Sequence, residues 1–159
     1  MPADCLSPDE YAALGRLTEL VDWRRVRLYR RSGGFEGWVR SVVLQISRDR
    51  AVALGNRIFL PDRCARELPV LAHELTHCGQ YQAWGARRYY IRGVLAQLKH
   101  LLHRSLGIGE SPYHYSPDPL KPFSAYGMEQ QGQIVEDCFR GHPAAQSLSP
   151  FQPGRTVND

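Results

Sequence analysis

His73, Glu74 and His77 stand in the pattern His-Glu-x-x-His, within His73-Glu74-Leu75-Thr76-His77. On an α-helix, residues four apart lie one turn up and about 40° apart around the axis, so both imidazoles face one point. Two imidazoles at that spacing supply half of a tetrahedral site, and zinc is the metal the pattern predicts. The glutamate between them cannot join that ligand pair. It is placed to act as general base on a water whose pKa zinc lowers to roughly 7. The expected chemistry is metal-assisted amide hydrolysis of a protein or peptide substrate.

A catalytic zinc needs a third protein ligand and an open fourth position. A downstream histidine in the arrangement H-E-x-x-H-x-x-G-x-x-H is excluded, because Gln80 and Ala83 occupy the glycine and histidine positions. The remaining solution is a residue from further along the chain. Glu129 opens a segment of helical pattern, with Gln133 and Glu136 on the same face at i+4 and i+7. Glu129 is the first candidate, and Glu136, Asp137, His142 and His114 stay open. A carboxylate in the first turn also suits the helix dipole without any metal. Tyr113, His114, Tyr115 and Tyr126 precede or open that segment and are the candidates for an oxyanion donor or substrate contact.

Several elements must position these groups. Leu68, Leu71, Ala72, Leu75 and Cys78 form an apolar stripe beside the ligand face, predicting a helix from near Pro69 to near Ala83. Proline suits its first turn and Glu67 its positive end. A second helix is expected over Arg87 to Arg104, and a last one from about Tyr126 to Arg140. Upstream, Ser7-Pro8-Asp9-Glu10 reads as a capping box opening a helix that carries Tyr11, Leu14, Leu17 and Val21. Val26 to Tyr29 and Val42 to Ile46 read as strands. Ala51–Leu54 and Ile58–Leu60, joined around Gly55-Asn56, read as a hairpin ending at Pro61. Gly107 to Phe123, with four prolines, predicts a long ordered loop or lid. Residues 143–159, with three prolines and a glycine, read as a poorly ordered tail.

At 159 residues the chain suits one domain, taken as residues 1–142, with the apolar and charged content of a globular protein. No run approaches a transmembrane length, and Met1-Pro2-Ala3-Asp4-Cys5 shows neither basic nor apolar signal-peptide regions. Cytoplasmic location is expected, with any export independent of a cleavable signal. The four cysteines form no metal or disulfide spacing, and Cys78 points about 100° away from His77, toward the core. The net charge of +4 rests on eighteen arginines and two lysines. Their densest run, Arg24, Arg25, Arg27, Arg30 and Arg31, lacks a nucleic-acid motif and reads as a solvated face.

Three segments together resemble the zincin-like metallopeptidases found beside Vgr spike proteins and in contractile injection systems. They are Leu54 to Pro61, His73 to Gln82, and Tyr126 to Asp137, spread over roughly half the chain in the family's order. The resemblance implies an α+β, zincin-like domain, mainly helical with a short N-terminal sheet or hairpin. It implies a zinc ion held by His73, His77 and Glu129, with Glu74 as the catalytic base. Cys78-Gly79 stands where the family has a bulky apolar pair, and Gly132 where it often has alanine. The function implied is a zinc-dependent metallopeptidase linked to a type VI or related contractile secretion system, with a protein of that apparatus as a partner. The alternative is a catalytically silent, zincin-shaped interaction module of the same apparatus. A nucleic-acid-associated metalloprotease using the arginine run is the third reading.

Overall fold

The structure, a computed structural model, describes residues 5–30 and 33–154. Met1 to Asp4, Arg31 of the basic run and the last five residues of the expected tail lie outside the described residues. The chain is α+β and mostly helical, with one small sheet. Helices α1 (Pro8–Leu14) and α2 (Leu17–Leu20) lead to strand β1 (Arg27–Tyr29) and helix α3 (Gly34–Ile46). The hairpin β2 (Val52–Leu54) and β3 (Arg57–Phe59) follows, then the long helix α4 (Leu68–Leu106), α5 (Met128–Phe139) and α6 (Pro143–Leu148).

The sheet order is β1-β3-β2, with β1 parallel and β2 antiparallel to β3. Gly55, at φ 65°, makes the tight turn between β2 and β3. Leu28 and Ile58 pair in register and are fully buried beneath α4. There they meet Leu14 and Leu17 from the N-terminal helices, Leu71 and Leu75 from α4, and Val135 from α5 in one core. Cys78 lies in that core too.

Four sequence expectations need correction. The first helix is two, because Gly15 turns the chain at φ 54° after Leu14. The predicted strand Val42–Ile46 is the last part of α3. Its β-branched residues are overruled by an anchor at Arg40, whose Nε donates to the Leu60 carbonyl (2.9 Å) while the guanidinium pairs with Asp62. The helix expected to be last is followed by α6. Finally, residues 143–154 are folded rather than a loose tail: Ala145 is fully buried, and Gly154 N–H donates to the Ala13 carbonyl at 2.8 Å.

The two helices expected on either side of Gly85 are there, running end to end. Gly85, at φ 76° and ψ 162°, breaks the helical path between them. Residues 107–122 hold neither helix nor strand, as the prolines required. Among the described residues, no helix is long and apolar enough to cross a membrane.

Candidate metal centre

His73 and His77 sit on consecutive turns of α4, both buried, with Nε2 atoms 3.1 Å apart. The helix continues the apolar stripe of Leu71 and Leu75 into the core, and this fixes the opposite face against α5. Glu129, in the first turn of α5, reaches between the two rings. Its Oε2 lies 3.4 Å from His77 Nε2 and 3.8 Å from His73 Nε2. A tetrahedral ion with bonds of about 2.0–2.2 Å holds its ligand atoms roughly 3.3–3.6 Å apart. The three observed separations bracket that range, so this buried group can hold a metal ion.

The far nitrogens of both rings are taken. His73 Nδ1 lies 3.0 Å from Glu136 Oε2, and His77 Nδ1 lies 2.8 Å from Gln80 Oε1. An acceptor at Nδ1 places the ring proton there and leaves the Nε2 lone pair for a metal. Gln80 is itself held: its amide donates to Gln131 Oε1 (3.0 Å) and to the Met128 carbonyl (3.1 Å). Glu136 is held by Arg140 at 2.8 Å. Glu136, an open candidate for the third ligand, therefore orients a histidine instead. Asp137, His142 and His114 are outside the group: Asp137 accepts from Tyr115, His142 lies 4.0 Å from Asp137, and His114 is exposed.

Electrostatics agree with the geometry. Burial would lower the pKa of His73, yet the carboxylates of Glu129 and Glu136 outweigh it and push the value up to about 10. Burial alone would raise Glu129, but the two imidazoles hold its carboxyl well below the usual range. The carboxylates that draw a proton onto His73 would equally draw a cation to this point. Glu74 behaves differently. It is buried, burial raises its pKa, and its Oε2 has no hydrogen-bond partner among the described residues. A buried carboxylate oxygen without a partner is costly, and such groups collect at functional sites.

The site opens into a cleft of about 890 Å³ whose lining includes His73, Glu74, His77 and Glu129. Its walls are apolar, from Val52 and Leu54 of β2 and from Val94, Leu98 and Leu101 of α4. Tyr113 also lines it, and its hydroxyl accepts from Arg50 at 3.0 Å. The other three expected contacts are elsewhere. The His114 backbone accepts from Gln130, the Tyr115 hydroxyl donates to Asp137 (2.8 Å), and the buried Tyr126 takes the Asp118 N–H (3.1 Å). None of these three side chains lines the cleft.

No protein-family model matches this chain, and no curated protein or solved structure does either.

The sequence assigned no role to Tyr89 and marked Gly132 only as a departure from the family. Tyr89 is buried in the cleft wall and donates its hydroxyl to the Ala53 carbonyl (2.9 Å), closing the outer edge of β2 at that point. Gly132 faces His73 so closely that a β-carbon would lie 2.8 Å from Nε2. Neither role has a local signal, because each depends on which face of one element meets another. The basic run is divided: Arg30 pairs with Glu10, while Arg25 and Arg27 are exposed and, with Arg57, line a small separate hollow.

Proposed function

We propose that the chain is a zinc-dependent metallopeptidase of zincin type. The observation that carries the reading is a buried His73–His77–Glu129 group with both Nδ1 atoms occupied, beside a partnerless Glu74 oxygen in an apolar cleft. A zinc ion bound by such a donor set supplies Lewis acidity and an acidified water. Two imidazoles and one carboxylate suit zinc, and three protein ligands leave a position open for chemistry.

The protein's own groups have separate tasks. Glu136 and Gln80 hold the two imidazoles in the tautomer and orientation that present Nε2. Glu74 Oε2 takes a proton from water as oxygen adds to the peptide carbonyl carbon. It returns that proton to the departing amine as the C–N bond breaks. Its burial raises the proton affinity that this exchange requires. Tyr113 still has its hydroxyl proton to donate, since its oxygen is the acceptor toward Arg50, and it is the expected oxyanion donor that reaches the cleft. The apolar walls favour an apolar substrate segment and exclude competing water. The resemblance to the Vgr-associated family supports a protein substrate encountered through a contractile secretion apparatus.

Elemental analysis of the purified chain tests the reading. About one zinc per chain is expected, lost or much weakened in His77→Ala and in Glu129→Ala. Glu74→Gln is expected to keep its zinc and lose hydrolysis of an unfolded protein substrate. A folded wild type that takes no zinc on supplementation overturns the proposal. Zinc binding with no hydrolysis beyond the Glu74→Gln level, across a broad peptide library, selects the silent interaction module.

A further inference from the structure

The second half of α4 presents its apolar side outward. Over residues 86–106, at 100° per residue, Ile91, Val94, Leu95, Leu98, Leu101 and Leu102 fall in an arc roughly 120° wide. All six are between 38% and 67% exposed. The side facing the protein is carried by Tyr89, Gly93, Ala96 and His100, which are buried or half-buried. A helix normally buries its aliphatic stripe, and an exposed patch of this extent marks an interaction surface.

Charge identifies the occupant. From residue 75 to residue 109 there is no aspartate or glutamate, while Arg87, Arg88, Arg92, Lys99 and Arg104 all lie in the helix. Arg88, Arg92 and Lys99 follow one another along a single edge of the stripe, at about 80–120° from Leu98. A two-fold antiparallel pairing of two copies would set this cationic edge against itself. Arg87 and Ser105 fall within the arc at its two ends, but between Ile91 and Leu102 the stripe holds no polar residue to fix register between helices, and it is broader than a coiled-coil seam. A helix about 30 Å long with aliphatics on one side and a cationic margin fits an anionic lipid surface.

We infer that residues 86–106 of α4 dock on an anionic membrane surface, with the apolar stripe in the interface and Arg88, Arg92 and Lys99 against the headgroups. Val94, Leu98 and Leu101 belong both to this stripe and to the cleft wall, so docking brings the cleft mouth to the lipid surface. The inference does not depend on any metal.

Co-sedimentation of the full chain with vesicles tests it. Binding is expected to vesicles of phosphatidylcholine with roughly a third phosphatidylglycerol, and to weaken steeply with salt. Pure phosphatidylcholine should bind at least about tenfold more weakly. Leu95→Asp with Leu102→Asp, at positions outside the cleft lining, should abolish binding while circular dichroism stays unchanged. Arg88→Gln with Lys99→Gln should weaken it by about 30-fold. Three results overturn the inference: a wild type that stays in the supernatant at low salt, equal binding of the Asp variant, or equal binding to uncharged vesicles. A stable dimer that the Asp variant splits overturns it too, and assigns the stripe to a second copy.

Discussion

Gly132 of α5 lies against the His73 ring, with room for a hydrogen and not for a methyl group: a β-carbon there would come within 2.8 Å of Nε2 and 2.9 Å of Cε1. Alanine is a better helix former than glycine by about 0.5–1 kcal/mol. Gly132→Ala should therefore retain the fold but push the ligand nitrogen out of place, weakening metal affinity by about tenfold or more. Competition with a chromophoric chelator measures this. Unchanged affinity would mean that the ring moves without cost.

Glu136 and Gln80 are expected to matter for the metal without touching it. Glu136→Ala removes the acceptor from His73 Nδ1, and a loss of about 10–100-fold in zinc affinity is expected at unchanged helix content. Glu136→Gln, which keeps an acceptor oxygen, should recover most of that loss. If both variants bind as tightly as wild type, the 3.0 Å contact does not orient the ring.

At the other end of the molecule, Glu10 caps α1 and pairs with Arg30. Burial raises its pKa, but the Arg30 hydrogen bonds, the Ser7 contacts and the guanidinium charge outweigh burial and leave it lowered. A lowered native pKa stabilises the fold above the unfolded carboxylate value of about 4.3, and that contribution disappears as pH falls through the native value. Glu10→Gln should thus lose stability at neutral pH and show a flatter acid limb in denaturant midpoints between pH values of about 3 and 6. Parallel acid limbs for the two proteins would count against the pair.

Gly15 holds φ 54° and ψ −132°, and a β-carbon there would meet Gln152 O and Gly154 N at 3.0 Å. Gly15→Ala combines backbone strain with displacement of the C-terminal segment and should cost about 1–3 kcal/mol in chemical denaturation. A change below about 0.5 kcal/mol would show that residues 152–154 are only loosely attached.

The centre of the site was legible in sequence because its signal is local. His73, Glu74 and His77 share one helix, and their geometry follows from its pitch. Glu129 needed an assumption about which helix faces it. Gln80 and Glu136 could not be assigned, since their roles depend on how α5 is rotated against α4. The hairpin was legible from Gly55-Asn56, but the same reasoning misassigned Val42–Ile46. There the deciding partner of Arg40 is a backbone carbonyl, Leu60, which leaves no trace in side-chain pattern. The prolines near residues 143–153 suggested disorder, yet Pro143 opens a short helix, and the chain beyond it closes over α1.

That closure has a consequence for biosynthesis. Ala13 receives its hydrogen bond from Gly154, and His73 and His77 receive Glu129 from a helix made some fifty residues later. As the chain emerges from the ribosome, the histidine pair exists for seconds with no carboxylate across from it and with Leu71 and Leu75 still lacking Val135 beside them. On the proposed reading, metal loading would be a late event, completed with the final packing of α5. Until then, any chaperone that shelters the nascent α4 would also guard the two histidines from the wrong ion.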